Sequence, residues 1–230
     1  MHYSALATDY DGTIAHDGIV DEATLAALRR VRPAGLGLIL VTGRELPDLY
    51  ATFAHIDLFD RIVAENGAML YRPDTRETRV LSAPPPPEFL DELARRGVPF
   101  SVGRSIVATV EPHEAEVLAV IRDLGLEWHV IFNKGSVMAL PSSINKAVGL
   151  APALDELGVP AGRVVGVGDA ENDHAFLRMC GLAVAVANAL PAVKETADLT
   201  TAGARGAGVV ELIDRLLAGD LPLGRVALPG

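Results

Sequence analysis

The chain has a single cysteine, Cys180, among 230 residues. One thiol excludes an intrachain disulfide and a cysteine-based zinc centre. Its place after Met179 in an apolar helical stretch reads as core packing. Long apolar runs are also missing. The best, Leu36 to Val41, falls far short of the ~18 residues of a membrane span and suits a buried strand. Met1 to Ala7 has neither the basic region nor the apolar core of a signal peptide, so a cytoplasmic protein is expected. Net positive charge is absent too. A formal charge of −10 disfavours non-specific binding to nucleic acid or to anionic membranes. It leaves room for a small anionic substrate, because a bound metal ion reverses the sign of a pocket locally. Lysine is scarce: of 20 Lys and Arg residues, only Lys134, Lys146 and Lys194 are lysines. In so arginine-rich a chain, a lysine hints at a need for a compact point charge. The histidines show no metal-ligand spacing.

What is present is ordinary for a globular protein, with 50% hydrophobic and 22% charged residues. The first stretch alternates strand and helix signals. A strand at Ala5 to Thr8 precedes a helix from Glu22 to about Val31, which Asp21 is suited to cap. A strand at Leu36 to Val41, a short helix at Pro47 to Phe53, a strand at Arg61 to Ala64 and a turn at Glu65-Asn66-Gly67 follow. Alternation of this kind predicts a parallel sheet with helices on both faces, an α/β Rossmann-like core. Composition changes after a turn at Tyr71 to Asp74, and Pro84 to Pro87 reads as a stiff spacer. From Glu88 to Leu140 the signals read helix, strand, helix, strand, strand, the last two joined as a hairpin at Asn133-Lys134-Gly135. The βαβ pattern resumes with a helix at Lys146 to Leu157 and a strand at Arg163 to Val167. A helix from about Asn172, a strand at Leu182 to Val186, a short helix from Pro191 and a last helix at Gly208 to Ala218 complete it. Leu221 to Gly230 reads as a loose tail. The expected organisation is a core of residues 1–70 and 144–230 interrupted by a small α+β cap, residues 71–143.

Two acidic clusters lie just past strand ends, where open α/β proteins gather their chemistry. The first is Thr8-Asp9-Tyr10-Asp11-Gly12-Thr13 and the second Gly168-Asp169-Ala170-Glu171-Asn172-Asp173. Between them stand Val41-Thr42-Gly43-Arg44, after a strand, and Lys146, at a helix start. Each alone has a plain structural reading as a turn, a helix cap or a surface lysine. Together, in this order, they describe a divided site. Two carboxylates and a phosphate repel, by about 4 kcal/mol per unit-charge pair at ~4 Å and an effective dielectric of 20. Such a nest needs counter-charge, and an oxygen-rich donor set suits Mg²⁺.

These four elements resemble the motifs of the haloacid dehalogenase superfamily, most of whose members are phosphatases, and the resemblance spans essentially the whole chain. A cap between the Thr42 and Lys146 motifs resembles the C2 type of Cof-like phosphatases, as does Glu65-Asn66-Gly67-Ala68. Length and cap size are similar to archaeal-type phosphoglycolate phosphatases and sucrose-phosphatase-like hydrolases. One departure is Ala147, where many relatives have glycine. The resemblance implies Asp9 as nucleophile and Asp11 as acid/base. It implies Thr42, Gly43, Arg44, Asn66, Lys146 and Asn172 around phosphate or substrate. Mg²⁺ would be held by Asp9, the Asp11 main-chain carbonyl and Asp169, with Asp173 nearby or partnering Lys146. The expected substrate is a small phosphorylated metabolite. Arg72, Arg104, His113, His129 and Lys134 are candidate cap specificity residues, each also readable as solvated surface, as His174 is. A phosphomutase using the same aspartyl-phosphate, and a non-catalytic phospho-acceptor, are the competing readings. Oligomeric state is not readable from the pattern.

Overall fold

Strands buried on both faces form the centre of the molecule. A computed structural model describes residues 2–133 and 135–224. The first half runs β1 (Ala5–Thr8), α1 (Glu22–Leu28), β2 (Gly37–Val41), α2 (Leu46–Thr52), β3 (Arg61–Ala64), β4 (Met69–Arg72), β5 (Glu77–Val80), α3 (Pro87–Arg95), β6 (Ser101–Val102) and β7 (Val107–Val110). The second runs α4 (Glu114–Asp123), β8 (Trp128–Asn133), β9 (Ser136–Pro141), α5 (Lys146–Leu157), β10 (Val164–Gly168), α6 (His174–Met179), β11 (Leu182–Ala185), α7 (Pro191–Thr196), β12 (Leu199–Thr200) and α8 (Arg205–Ala218).

The large sheet has the order β12-β11-β10-β1-β2-β3-β4-β5. Strands from β12 to β3 are parallel, and β4 and β5 add an antiparallel edge. β1 pairs with β10 on one side and β2 on the other, so strand order reverses at β1. The crevice beyond the carboxyl ends of such strands is where these sheets bind ligands. Every residue of β1, β10 and β11 is buried, which is why these strands read as unbroken apolar runs. Asp21 caps α1 as expected, accepting from the Thr24 N–H at 2.7 Å. The last helix starts at Arg205, earlier than expected; Gly206 and Gly208 in its first turn are weak helix formers, so the sequence pattern does not show that turn.

The smaller sheet, β6-β7-β9-β8, is antiparallel. Phe89 and Leu93 of α3 and Val117 and Val120 of α4 pack with Val107 and Ala139 of this sheet as a separate apolar cluster. The expected start of this unit at Tyr71 falls inside β4, which together with β5 belongs to the large sheet. The turn lies two residues later than the sequence suggests, and β5 is exposed at every position, so no apolar alternation announces it. Arg72 accordingly sits on the large sheet, bonded to Glu156 of α5 at 2.7 and 2.9 Å. Two-residue strands β6 and β12 carry no periodic signal either. Of the expected loose tail, the first residues are tied down. Tyr3 Oη donates to Pro222 O at 2.6 Å and accepts from Gly224 N at 2.8 Å. Lys134 and residues 225–230 lie outside the described residues.

Candidate active site

β1 and β10 run side by side in register, with Thr8 opposite Val167, so Asp9 and Asp169 leave the sheet as neighbours. After β1 the chain turns at Gly12, whose φ of 92° suits glycine, and folds back with Gly12 N bonded to Ala15 O at 2.9 Å. On the β10 side, Asp173 Oδ2 accepts the N–H groups of Asp169 and Ala170 at 2.8 and 3.0 Å and shapes the second acidic loop. The third component comes from α5. Asn145 caps that helix, accepting from the N–H groups of Ala147 and Val148, and Lys146 is its first residue. A cation at a helix N-terminus opposes the helix dipole. Lys146 is nonetheless fully buried there, because its ammonium donates to Asp9 Oδ1 and Asp173 Oδ1, each at 2.6 Å.

Asp9, Asp169 and Asp173 place carboxylate oxygens within 4.8 Å of one another, all buried. Thr13, within the first acidic cluster, donates its hydroxyl to Asp169 Oδ1 at 3.3 Å. One ammonium does not offset three carboxylates. Burial, with Asp173 and Asp169 alongside, pushes the Asp9 carboxyl up to about 8 despite Lys146. Burial alone would lower the Lys146 ammonium, but Asp173 and Asp9 hold it above its ordinary value. The three residues therefore fit a hard divalent cation: they offer oxygen donors only, in a site short of positive charge. Asp173 is the least available of them, since its two oxygens already accept three hydrogen bonds.

Asp11 points elsewhere. Its side chain lies outside the carboxylate cluster and accepts a two-pronged contact from Arg44, Nε to Oδ2 at 2.7 Å and Nη2 to Oδ1 at 2.8 Å. Arg44 also donates to Asp48 at 2.7 Å and Thr52 at 3.1 Å, and the hydrogen bonds to Asp11 raise its pKa further. Thr42 is buried, and its Oγ1 accepts from Arg44 N at 3.1 Å. Asn172 Nδ2 donates to Asn66 Oδ1 at 2.8 Å, and the Asn66 amide lies against Gly43. All ten expected site residues thus fall at one end of the large sheet. Asn188, unmarked in the sequence reading, ties this end together by donating to Gly12 O at 2.8 Å and accepting from Arg205 N at 2.7 Å. Its position past the end of β11 was the available signal.

A cavity of about 660 Å³ opens over Asp11, Gly43 and Arg44 and is roofed by Ala108 and Met138 of the smaller sheet and by Ile106 just before β7. Arg104 lines a neighbouring cavity with Glu45 and Tyr50. His113 and His129 line neither, and burial lowers the His129 pKa. His174 is engaged by the Thr196 hydroxyl at 3.1 Å.

The sequence matches the haloacid dehalogenase-like hydrolases over residues 6–104 and 128–213. The chain belongs to that family. It is 34% identical over 222 residues to a phosphoglycolate phosphatase of Methanothermobacter thermautotrophicus, covering 93% of this chain and 98% of the relative. In fold it is similar to a haloacid dehalogenase-like hydrolase from Bacteroides thetaiotaomicron, with TM-score 0.79 and 19% identity over 93% of this chain and 99% of the other. A sugar phosphatase of subclass IIB superposes with TM-score 0.75 at 20% identity, over 95% and 100% of the two chains. No helix among the described residues is long and apolar enough to cross a membrane.

Proposed function

We propose that this hydrolase of phosphate monoesters acts on a small phosphorylated metabolite, phosphoglycolate or a sugar phosphate, with Mg²⁺ and through an aspartyl-phosphate on Asp9. The observation that carries the reading is Lys146 buried between Asp9 and Asp173 at the ends of β1 and β10. The naming of the methanogen relative supports phosphoglycolate; the wider fold neighbours support sugar phosphates.

An Asp9 oxygen attacks phosphorus in line, and the bond to the leaving oxygen breaks as the new P–O bond forms. Asp11 gives the leaving oxygen its proton, then takes one from the water that hydrolyses the acyl phosphate. Both Asp11 oxygens are acceptors while Arg44 holds them, so donation requires the pair to part. Thr42 and the Gly43 N–H orient the phosphoryl oxygens, and Lys146 offsets their charge. Asn66 and Asn172, bonded to each other, brace the same side of the site and stand ready for substrate oxygens. Asp9, the Asp11 carbonyl and Asp169, with Asp173 nearby, would hold Mg²⁺, which would supply the positive charge that the carboxylates and a phosphate require.

Phosphate release from a panel of small phosphate esters, with Mg²⁺ and with EDTA, tests this. Release should need the metal. Asp9→Asn should lower kcat by about 10⁴-fold or more while preserving the fold. Undiminished hydrolysis in that variant removes Asp9 as nucleophile. Phosphate exchange between sugars without net release would instead mark a phosphomutase.

A further inference from the structure

We propose that Glu65 is a positioning residue that docks the loop between β6 and β7 onto the large sheet and so sets the roof of the substrate cavity. Its effect on turnover rests on the phosphatase reading above; the docking does not.

The turn after β3 is unusual. Glu65 and Asn66 both have φ of 51°, a left-handed conformation that costs a non-glycine residue about 1 kcal/mol or more. The two side chains leave it in different directions. Asn66 reaches the catalytic loops, against Gly43 and Asn172, and its Nδ2 also donates to Met138 Sδ at 3.4 Å. Glu65, only 1% exposed, reaches the other unit. Its Oε1 accepts from Arg104 N and its Oε2 from Ser105 N, each at 3.0 Å. Consecutive N–H groups converging on one carboxyl form an anion cradle. Gly103 completes the cradle, because a Cβ there would stand 2.7 Å from Glu65 Oε2.

This contact is placed to matter. The loop is closed by Gly103 N donating to Ile106 O at 2.9 Å, and anchored by Ser105 Oγ donating to Ser82 O at 3.1 Å. Ser101 and Ile106, on either side of it, line the cavity over Asp11 and Arg44. A buried carboxyl is costly unless its hydrogen bonds are met. Here they are met only when the loop is seated, so the strained turn rewards the closed arrangement. One short segment thus links the catalytic loops, through Asn66, to the roof, through Glu65.

The test combines amide hydrogen exchange with steady-state kinetics on the full chain. Glu65→Gln keeps the size but sets an NH₂ against a backbone N–H. Gly103→Ala attacks the same contact from the opposite side and leaves Glu65 in place. Each should speed exchange at Arg104 and Ser105 by about tenfold or more, while β1 and β10 amides keep their protection. Each should raise KM for an accepted phosphate ester about tenfold, with kcat changed by less than about threefold. The double variant should add little, because both changes break one contact. Unchanged exchange at Arg104 and Ser105 in Gly103→Ala, or faster exchange with no change in KM, overturns the proposal. Should the wild type release no phosphate, the reaction is misassigned, and the exchange data alone then decide the docking.

Discussion

The two sheets meet at one cavity with different chemistry. The large sheet brings charge: Asp11 and Arg44 line the cavity, and Asp9, Lys146, Asp169 and Asp173 lie buried at the neighbouring strand ends and helix start. The smaller sheet brings Ser101, Ile106, Ala108, Ser136 and Met138, none of them charged. Charged groups that act on phosphorus must be fixed to within a fraction of an ångström, and rigid parallel strands supply that. A roof that selects among leaving groups needs shape more than charge. On the proposed phosphatase reading, reaction type and substrate choice are written on separate parts of this chain, joined at Glu65 and Asn66.

The sharpest way to break that comparison is to disturb the charged floor. Lys146→Met leaves Asp9 and Asp173 buried without their shared cation. In metal-free protein it should cost about 3–5 kcal/mol in urea unfolding at pH 7. Adding Asp9→Asn should recover part of that loss, because one of the opposed carboxylates is gone. Strictly additive costs would show that the three groups are not one network.

A change in the roof should act on selectivity instead. Ala108→Phe places a ring in the cavity above Asp11 and Gly43. KM for a sugar phosphate should rise about tenfold, with a much smaller change for acetyl phosphate. Equal losses on both substrates would mean that the roof shapes the catalytic groups rather than the choice of ester.

The smallest effect lies away from the cavity, where Glu156 on α5 joins Arg61 and Arg72 at 2.7–2.9 Å. Hydrogen bonds from Arg72, then Arg61, hold the Glu156 carboxyl at about 2, below its ordinary 4.5. A lowered carboxylate stabilises the fold above its unfolded pKa, and that stability fades as pH falls from about 4.5 towards 2. Glu156→Gln should therefore cost about 1–2 kcal/mol at pH 7 and close to nothing near pH 2. A cost independent of pH would assign the effect to packing. Activity should not change.

Much of this arrangement was legible before any coordinates. Continuous apolar runs ending in Thr8-Asp9, Val41-Thr42 and Gly168-Asp169 marked buried parallel strands and the site at their ends. Lys146 stood out because lysine is rare here and because it falls at a helix start. The exposed β5 and the two-residue β6 and β12 were invisible, since periodicity needs several residues with one face buried. That is why the sequence pattern puts Arg72 in the cap although it belongs to β4 of the large sheet. Thr13, Glu65 and Asn188 stood unassigned because their partners are 156, 39 and 176 positions away in sequence.

The sequence by itself determined the class of fold and marked a candidate site, because strand-end carboxylates, glycine turns and a lysine at a helix start are local patterns with local physical causes. Tertiary structure alone decided three things. It held Asp11 in the grasp of Arg44 and seated Lys146 between two particular carboxylates. It also sent Glu65 to the backbone of Arg104 and Ser105, and its sequence neighbour Asn66 to Asn172. Each of these depends on which loops the closed sheet brings within hydrogen-bonding distance, and that distance is set by packing rather than by order along the chain.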